Sequence, residues 1–510
     1  MAEERLVSVE DVQKHSSPED CWIVVDGKVW DMTEFAPDHP GGAGIILRHA
    51  GRDATTSYSE IHAPSVIPDN LPPNKLIGRL DTSTVNEEWV KPPPSKTPQL
   101  QLNEKPPLST LINAYDIEEV ASRTLSKKTW AFYSSAATDC VTRDANKSMF
   151  DRMWWRPRIL RNVRDISTKT SILGCNVSLP FFVSPAAMAR LVHPEGEKAL
   201  ARGCAAKGVA QCVSTNASFP LGEIVSEVPS TQPFFFQLYV NKDRSKSEAL
   251  LRTVAALGVK AIFLTVDAPV AGKREADERV KADEGLTTPM SGASSTNDAK
   301  GGGLGRIMST YIDATLNWED LEWLRSCTDL PIVLKGVQTA ADAKAAMEAG
   351  VAGIVLSNHG GRSLDTSPPA ILILLECQRC CPEIFDRMEV YLDGGIRRGT
   401  DILKALCLGA TAVGIGRHFL YSLNYGQEGV EHFIELMRDE LETSMRMVGI
   451  TDLSQVHPGL VNTLDVDHLV PTSVEHPYAR WRPRQPLAKV EEKVEASVKG
   501  LARFWPRARL

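Results

Sequence analysis

Short apolar runs recur through the middle of this chain, separated by stretches of helical character. Eight of them read as strands: 180–186, 209–214, 233–239, 260–267, 331–335, 353–358, 389–393 and 411–415. They are apolar at successive rather than alternate positions, the pattern of strands buried on both faces. Ala-, Leu- and Glu-rich stretches between them, such as 242–257, 339–349 and 399–408, predict helices. Eight such units over roughly 300 residues predict an α/β fold of the (β/α)8 TIM barrel type. A doubly wound sheet is the alternative, but no G-x-G-x-x-G opens the first unit.

The pattern changes at both ends. Residues 1–82 form a small α+β unit rich in histidine and aromatics. A proline-rich linker, 83–108, follows; it holds Lys91 to Pro94 (K-P-P-P), Pro98, Pro106 and Pro107, and predicts an extended, semi-rigid tether. The barrel domain then spans 109–465. The polar, proline-rich tail 466–510 is expected to wrap a neighbouring subunit. One insertion, 281–305, breaks the barrel rhythm with Ser291 to Ser295 and Gly301 to Gly303. It predicts a mobile surface loop after the fourth strand, either a lid over the catalytic end or an insert without a role.

Composition narrows the classes. The 510 residues suit two or three domains, and 43% hydrophobic content is ordinary for a soluble globular protein. A net charge of -7 argues against an electrostatic grip on nucleic acid or anionic lipid. No apolar run approaches the ~20 residues of a membrane span. The ten cysteines lack paired metal-ligand spacing; the C-x-x-C at Cys377 and Cys380, with Cys381 beside it, runs into Pro382. They read as thiols of a reducing compartment. Met1 to Leu6, with Glu3 and Glu4, suits neither a signal nor a transit peptide. Ala508, Arg509 and Leu510 form a variant of the Ser-Lys-Leu address, so a peroxisomal location is expected, with cytoplasm or mitochondrial intermembrane space as alternatives.

Two constellations carry chemistry. In the first unit, Phe35 to Gly42 reads F-A-P-D-H-P-G-G, and His62 lies 23 positions after His39. Gly41 and Gly42 permit close approach of a flat ligand, and a helical segment, Ala43 to Ala50, lies between the histidines. Two neutral imidazoles can fill both axial positions of a porphyrin iron, which makes an electron carrier rather than an oxygen binder. His15 and His49 lack such a context and read as structural. This segment resembles the cytochrome b5 family over most of 5–82, through Asp20-Cys21-Trp22, Val25 to Val29, His39-Pro40-Gly41-Gly42 and Gly51-Arg52-Asp53-Ala54-Thr55. The resemblance implies haem b, with His39 and His62 as its ligands.

In the barrel, His359 and Arg362 follow the sixth strand, on the face where barrels do catalysis. An arginine forks onto a carboxylate, and a histidine three residues away then meets the adjoining carbon or hydroxyl as a general base. Asp267, closing the fourth strand, is placed to support the imidazolium, and Arg274 offers a second cation. Lys335, ending the fifth strand, can offset negative charge on a reduced flavin. Asp393-Gly394-Gly395-Ile396-Arg397 and Gly414-Ile415-Gly416-Arg417 follow strands seven and eight, the two loops where barrels bind phosphate.

The span 109–465 resembles the FMN-dependent α-hydroxy acid dehydrogenases and oxidases. Ser357-Asn358-His359-Gly360-Gly361-Arg362, Leu392-Asp393-Gly394-Gly395 with Arg397-Arg398-Gly399-Thr400-Asp401, and Gln237-Leu238-Tyr239 carry the match. With the haem module in front, the order is similar to the flavocytochrome b2 family of L-lactate:cytochrome c oxidoreductases. The resemblance implies His359 as base, Asp267 as its partner, Arg362 and Arg274 as substrate cations and Tyr239 as a substrate hydrogen-bonding group. Ser214, Gln237, Thr265, Lys335, Ser357, Ala186 and Ala187 would hold the flavin ring of FMN. Asp393, Gly394, Gly395, Arg397, Gly416 and Arg417 would hold its ribityl and phosphate. Two positions depart from the pattern: Phe132 replaces the first tyrosine of a Tyr-Tyr pair ending at Tyr133, and Asn216 stands where lactate and glycolate enzymes place an apolar or aromatic wall.

The reading is an FMN- and haem-containing L-2-hydroxy acid dehydrogenase. Its partners are a small 2-hydroxy acid and cytochrome c or another one-electron acceptor, with no nucleic acid and no membrane span, in a homotetramer. A peroxide-producing oxidase and a non-catalytic haem carrier are the rivals. Whether hydrogen leaves the substrate as a proton from carbon or as hydride stays open.

Overall fold

The computed structural model describes residues 5–40, 42–86, 89, 104–281, 286–295, 297, 301–475 and 478. Gly41, the K-P-P-P stretch with Pro98, part of the 281–305 insertion, and most of the 466–510 tail, its final tripeptide included, lie outside them. The chain divides into two compact units, residues 1–99 and 100–510.

The N-terminal unit is a six-stranded sheet built on a central pair, Asp20–Val25 and Lys28–Asp31. Leu76–Leu80 pairs with Lys28–Asp31, and Leu6–Val7 with Leu76–Leu80. Alternation along Asp20–Val25 sends Cys21, Ile23 and Val25 into one apolar cluster and Val24 into another. The first cluster takes in Ile46 and Ile67 from short helices, with Ala54 at the cap of a third, and has Phe35, Leu47 and Tyr58 at its edge.

The larger unit is a closed barrel of eight parallel strands: Phe181–Val183, Ala210–Ser214, Phe234–Leu238, Ile262–Thr265, Ile332–Val337, Gly353–Leu356, Glu389–Asp393 and Ala412–Ile415. Each falls on one of the eight apolar runs. The first pairs with the last, Phe181 opposite Val413, and closes the ring. Inside it, Phe182, Phe235, Phe263 and Tyr391 pack ring to ring, with Phe235 and Phe263 centroids 5.2 Å apart. The barrel is thus a filled core, and chemistry is left to its rim. Helices at Arg244–Ala256, Ala340–Glu348 and Gly399–Cys407 match the predicted segments.

Some local expectations shift. The fourth strand ends at Thr265, so Asp267 lies in the following loop. The fifth strand runs past Lys335 to Val337, with a register irregularity between those residues. The insertion carries a small hairpin, Leu286–Thr287 against Ser294–Ser295, and a turn of helix at Leu304–Ile307. Pro106 is no free tether: its carbonyl accepts a 2.8 Å hydrogen bond from Tyr425 Oη of the barrel unit. All ten cysteines are unpaired. No helix of the described residues is long and apolar enough to cross a membrane.

Candidate active site and haem site

The loops after the barrel strands enclose a cleft of about 1240 Å³, counted to its open mouth. The turn after the sixth strand delivers the central group. His359, Gly360 and Gly361 all take positive φ, at 59°, 62° and 77°. For a histidine this costs on the order of 1–2 kcal/mol, and such strain is held only where the surroundings fix it. Asn358 fixes it here. Its Oδ1 accepts from Gly361 N at 3.0 Å and from Asn146 Nδ2 at 2.8 Å.

His359 Nδ1 donates to Asp267 Oδ1 at 2.8 Å, which leaves Nε2 facing the cleft, 3.4 Å from Tyr239 Oη. Gly336, at φ +111°, lets the fifth strand pass beside this carboxylate; a Cβ there would sit 2.4 Å from Asp267 Cβ. Burial pushes the His359 imidazole below its ordinary pKa, and Asp267 pulls the other way without reversing it. Burial opposes ionisation of Asp267, but His359 and Lys335 outweigh it and hold the carboxyl below the usual range. Burial pushes the Tyr239 phenol up to about 12, so it stays a donor. The result is a neutral base with a fixed tautomer beside a protonated hydroxyl.

Arginines form the opposite side. Arg362 Nη1 donates to the carbonyls of Tyr133 and Ser135, both at 2.9 Å. Arg417 reaches the same two carbonyls at 3.0 and 3.2 Å. Arg274 Nε donates to Arg362 O at 3.2 Å, and the Arg362 guanidinium lies over the Phe132 ring, 5.4 Å from its centroid. Among the described residues none of the three has a carboxylate at ion-pair distance. Desolvation opposes the charge of each. A cluster of cations short of counter-charge is a site for anions.

The predicted flavin-holding residues ring the same cleft. Lys335 Nζ lies 2.9 Å from Asp393 Oδ2 and 2.9 Å from Ser357 Oγ. Gln237 accepts from Ser214 Oγ at 3.0 Å and donates to Thr265 Oγ1 at 3.0 Å. Ala186, Ala187, Gly394, Gly395, Arg397, Gly416 and Arg417 line the wall. Of the predicted set, only Asp267 and Ser357 stand behind the lining; each touches a lining residue.

These residues fit FMN on three observations. Asp393 Oδ1 is buried with no partner among the described residues, as an acceptor awaiting a ribityl hydroxyl would be. Gly395, at φ +85°, packs so that a Cβ would lie 2.2 Å from Asn146 O, so its backbone N–H and not a side chain is presented. The cation-rich end matches a phosphate.

Several contributors were not anticipated. Asn146 has no motif. Glu118 accepts from Arg397 Nε at 3.3 Å and lies 3.4 Å from His418 Nε2; burial opposes its ionisation, but His418 and Arg397 carry its pKa down to about 2. Tyr311 Oη donates to Asn216 Oδ1 at 3.1 Å. Only Asn358 carried a signal, as a member of the S-N-H-G-G-R run.

In the N-terminal unit the His39 and His62 ring centroids lie 6.1 Å apart, at 78° to each other. Two imidazoles sharing one iron, with metal–nitrogen bonds of about 2 Å, hold their centres at roughly this spacing. His39 Nδ1 donates to Gly42 O at 3.3 Å, which frees Nε2 for a metal. Phe35 and Tyr58 pack edge-on and tilted against the two rings, and the apolar cluster below them suits a porphyrin.

A barrel with this cation-ringed cleft and a carboxylate-held histidine defines a flavin-dependent dehydrogenase. The family model for FMN-dependent dehydrogenases matches residues 121–463, and that for the cytochrome b5-like haem/steroid binding domain matches residues 8–81. The chain belongs to the FMN-dependent dehydrogenase family and carries a cytochrome b5-like domain in front. L-lactate dehydrogenase (cytochrome) of Saccharomyces cerevisiae is 45% identical over 471 residues, spanning 89% of this chain and 79% of that one. The protein of the same name from Wickerhamomyces anomalus is 39% identical over 488 residues, spanning 95% and 85%. A doubly substituted flavocytochrome b2 with pyruvate bound superposes with a TM-score of 0.64 at 42% identity, covering 75% of this chain and 94% of that chain. FMN and haem b are accordingly the cofactors of the two units.

Proposed function

We propose that the barrel oxidises an L-2-hydroxy acid, with L-lactate as the reference substrate, to the 2-oxo acid. The observation that carries this reading is the line Asp267–His359–Tyr239 facing Arg362 and Arg274 across one cleft. The arginines hold the substrate carboxylate, and Tyr239 Oη hydrogen-bonds the substrate hydroxyl. His359 Nε2 takes the proton released on oxidation, and Asp267 stabilises the imidazolium so formed. Ser214, Gln237, Thr265 and Lys335 orient the flavin ring; Asp393, Gly395, Arg397 and Arg417 hold the ribityl and phosphate. When bound, FMN supplies a two-electron acceptor, and haem b, held by His39 and His62, supplies one-electron transfer to cytochrome c or a similar acceptor. The enzyme works as a homotetramer.

Anaerobic addition of L-lactate to the purified holoprotein should bleach its flavin absorbance, and cytochrome c should then be reduced. No bleaching with any L-2-hydroxy acid would refute the reading. Bleaching followed by peroxide formation, with cytochrome c untouched, would make the protein an oxidase instead.

A further inference from the structure

One wall of the cleft has a polar device that the chemistry above leaves unused. Asn216 follows the second barrel strand, is 5% exposed and lines the cleft with Met308 and Ser309. Its Oδ1 accepts from Tyr311 Oη at 3.1 Å, and the Ser291 side chain hydrogen-bonds the same phenol. Tyr311 is held protonated by burial, first, and by the neighbouring Tyr239. A phenol that donates to Oδ1 fixes which way the amide points. The amide nitrogen is therefore turned the other way; among the described residues it meets no acceptor, and it is not sealed from the cleft.

The position of this wall follows from its neighbours. Thr215 Oγ1 accepts from Tyr239 N at 3.2 Å, so Asn216 stands one residue from the support of the hydroxyl-binding tyrosine. The arginines take the carboxylate and the His359–Tyr239 pair takes the hydroxyl. The third substituent on the substrate's C2 is left to face Asn216 and Met308.

We infer that Ser291, Tyr311 and Asn216 form a selector for the substrate side chain, presenting the Asn216 Nδ2 donor to 2-hydroxy acids that carry an oxygen acceptor on C3. The smallest such acid is L-2,3-dihydroxypropanoate. Its near-isostere L-2-hydroxybutanoate puts a methyl group in place of the C3 hydroxyl and leaves the amide unmet, which costs a buried donor its partner. This inference rests on the hydroxy acid reading above, and the test separates the two.

The experiment compares kcat/KM for these two acids in the holoenzyme, and the dissociation constants of the matching 2-oxo acids from flavin absorbance. The dihydroxy acid should win by about three- to tenfold, the size of one neutral hydrogen bond. Asn216→Leu should reverse the order. Tyr311→Phe, which frees the amide to rotate, should shrink the preference while FMN absorbance is retained. The selector fails if the wild type prefers the butanoate, or if both variants keep the wild-type ratio with FMN bound. Flavin bleached by L-lactate but by neither test acid would sink the selector alone. No bleaching by any 2-hydroxy acid would sink both.

Discussion

Asn146 and Asn358 exchange two hydrogen bonds of 2.8 Å, each amide donating to the other's oxygen. Both are nearly sealed from solvent, at 2% and 1% exposure. Asn358 precedes His359, and Asn146 packs on Gly394 and Gly395. One amide pair therefore joins the turn that carries the base to the loop that meets the cofactor phosphate. Asn146→Ala takes one partner from each end of the Asn358 amide, leaving Gly361 N on its Oδ1 and Pro368 O on its Nδ2, and strips Ala370 N of the Asn146 oxygen it donates to. A buried donor left without its acceptor costs about 1–3 kcal/mol. The expected outcome is a lower Tm of the FMN-bound protein together with weaker FMN binding, measured by flavin fluorescence on dilution. A Tm fall with FMN affinity intact would reduce the pair to a packing feature.

His359→Gln keeps a polar side chain of similar reach but no base. FMN should remain bound, while flavin reduction by L-lactate slows by roughly 10²–10⁴. Stopped-flow absorbance reads this directly. The pH profile gives an independent check. Burial lowers the folded-state pKa of His359, so its neutral, base-competent form persists below the ordinary imidazole value of about 6.5. kcat/KM should therefore hold through neutral pH and fall only as acid protonates the ring at lower pH. The variant should lose that acid limb. A limb centred above pH 7 would mean that Asp267, not burial, dominates.

Haem removal should divide the two units functionally. His39→Ala takes away one of two imidazoles whose centres lie 6.1 Å apart. The variant should lose its haem absorbance and its reduction of cytochrome c. Anaerobic bleaching of the flavin by L-lactate should survive, since the catalytic groups all belong to residues 100–510. Undiminished cytochrome c reduction would show that haem is not the relay.

How much of this was legible beforehand depends on distance along the chain. The eight strands show in sequence because burial on both faces makes each a continuous apolar run, as in Phe234–Leu238. Gly394, Gly395 and Gly416 show because a phosphate loop needs small residues at a strand end. His359 and Arg362 show as a compact run. The supports do not. Asn146 finds Asn358 across 212 positions, and Tyr311 finds Asn216 across 95. A lone Asn or Tyr in a helix or loop has no local pattern that names its partner, and only the closed barrel brings the two together. Strand ends were also hidden. The fifth apolar run, 331–335, ends at Lys335, yet Gly336 continues the strand to Val337 and makes room for Asp267.

Lys335 itself gives the most demanding prediction. Its Nζ is 2.9 Å from Asp393 Oδ2, with both side chains under 10% exposed. Burial works against the ammonium, but Asp393 and Asp267 outweigh it and raise the lysine pKa above its ordinary value. Lys335→Met preserves length and packing and leaves two carboxylates without their cation. Breaking a buried pair from one side costs about 3–5 kcal/mol. The apoprotein should therefore unfold at lower denaturant concentration with an unchanged m-value. Asp393→Asn in the same background removes one stranded charge and should recover part of that loss, a rescue that simple loss of lysine packing does not predict. Flavin reduction should stay slow in the double variant, because the cation beside the ring is still missing. Recovery of both stability and rate would place the lysine in the scaffold alone.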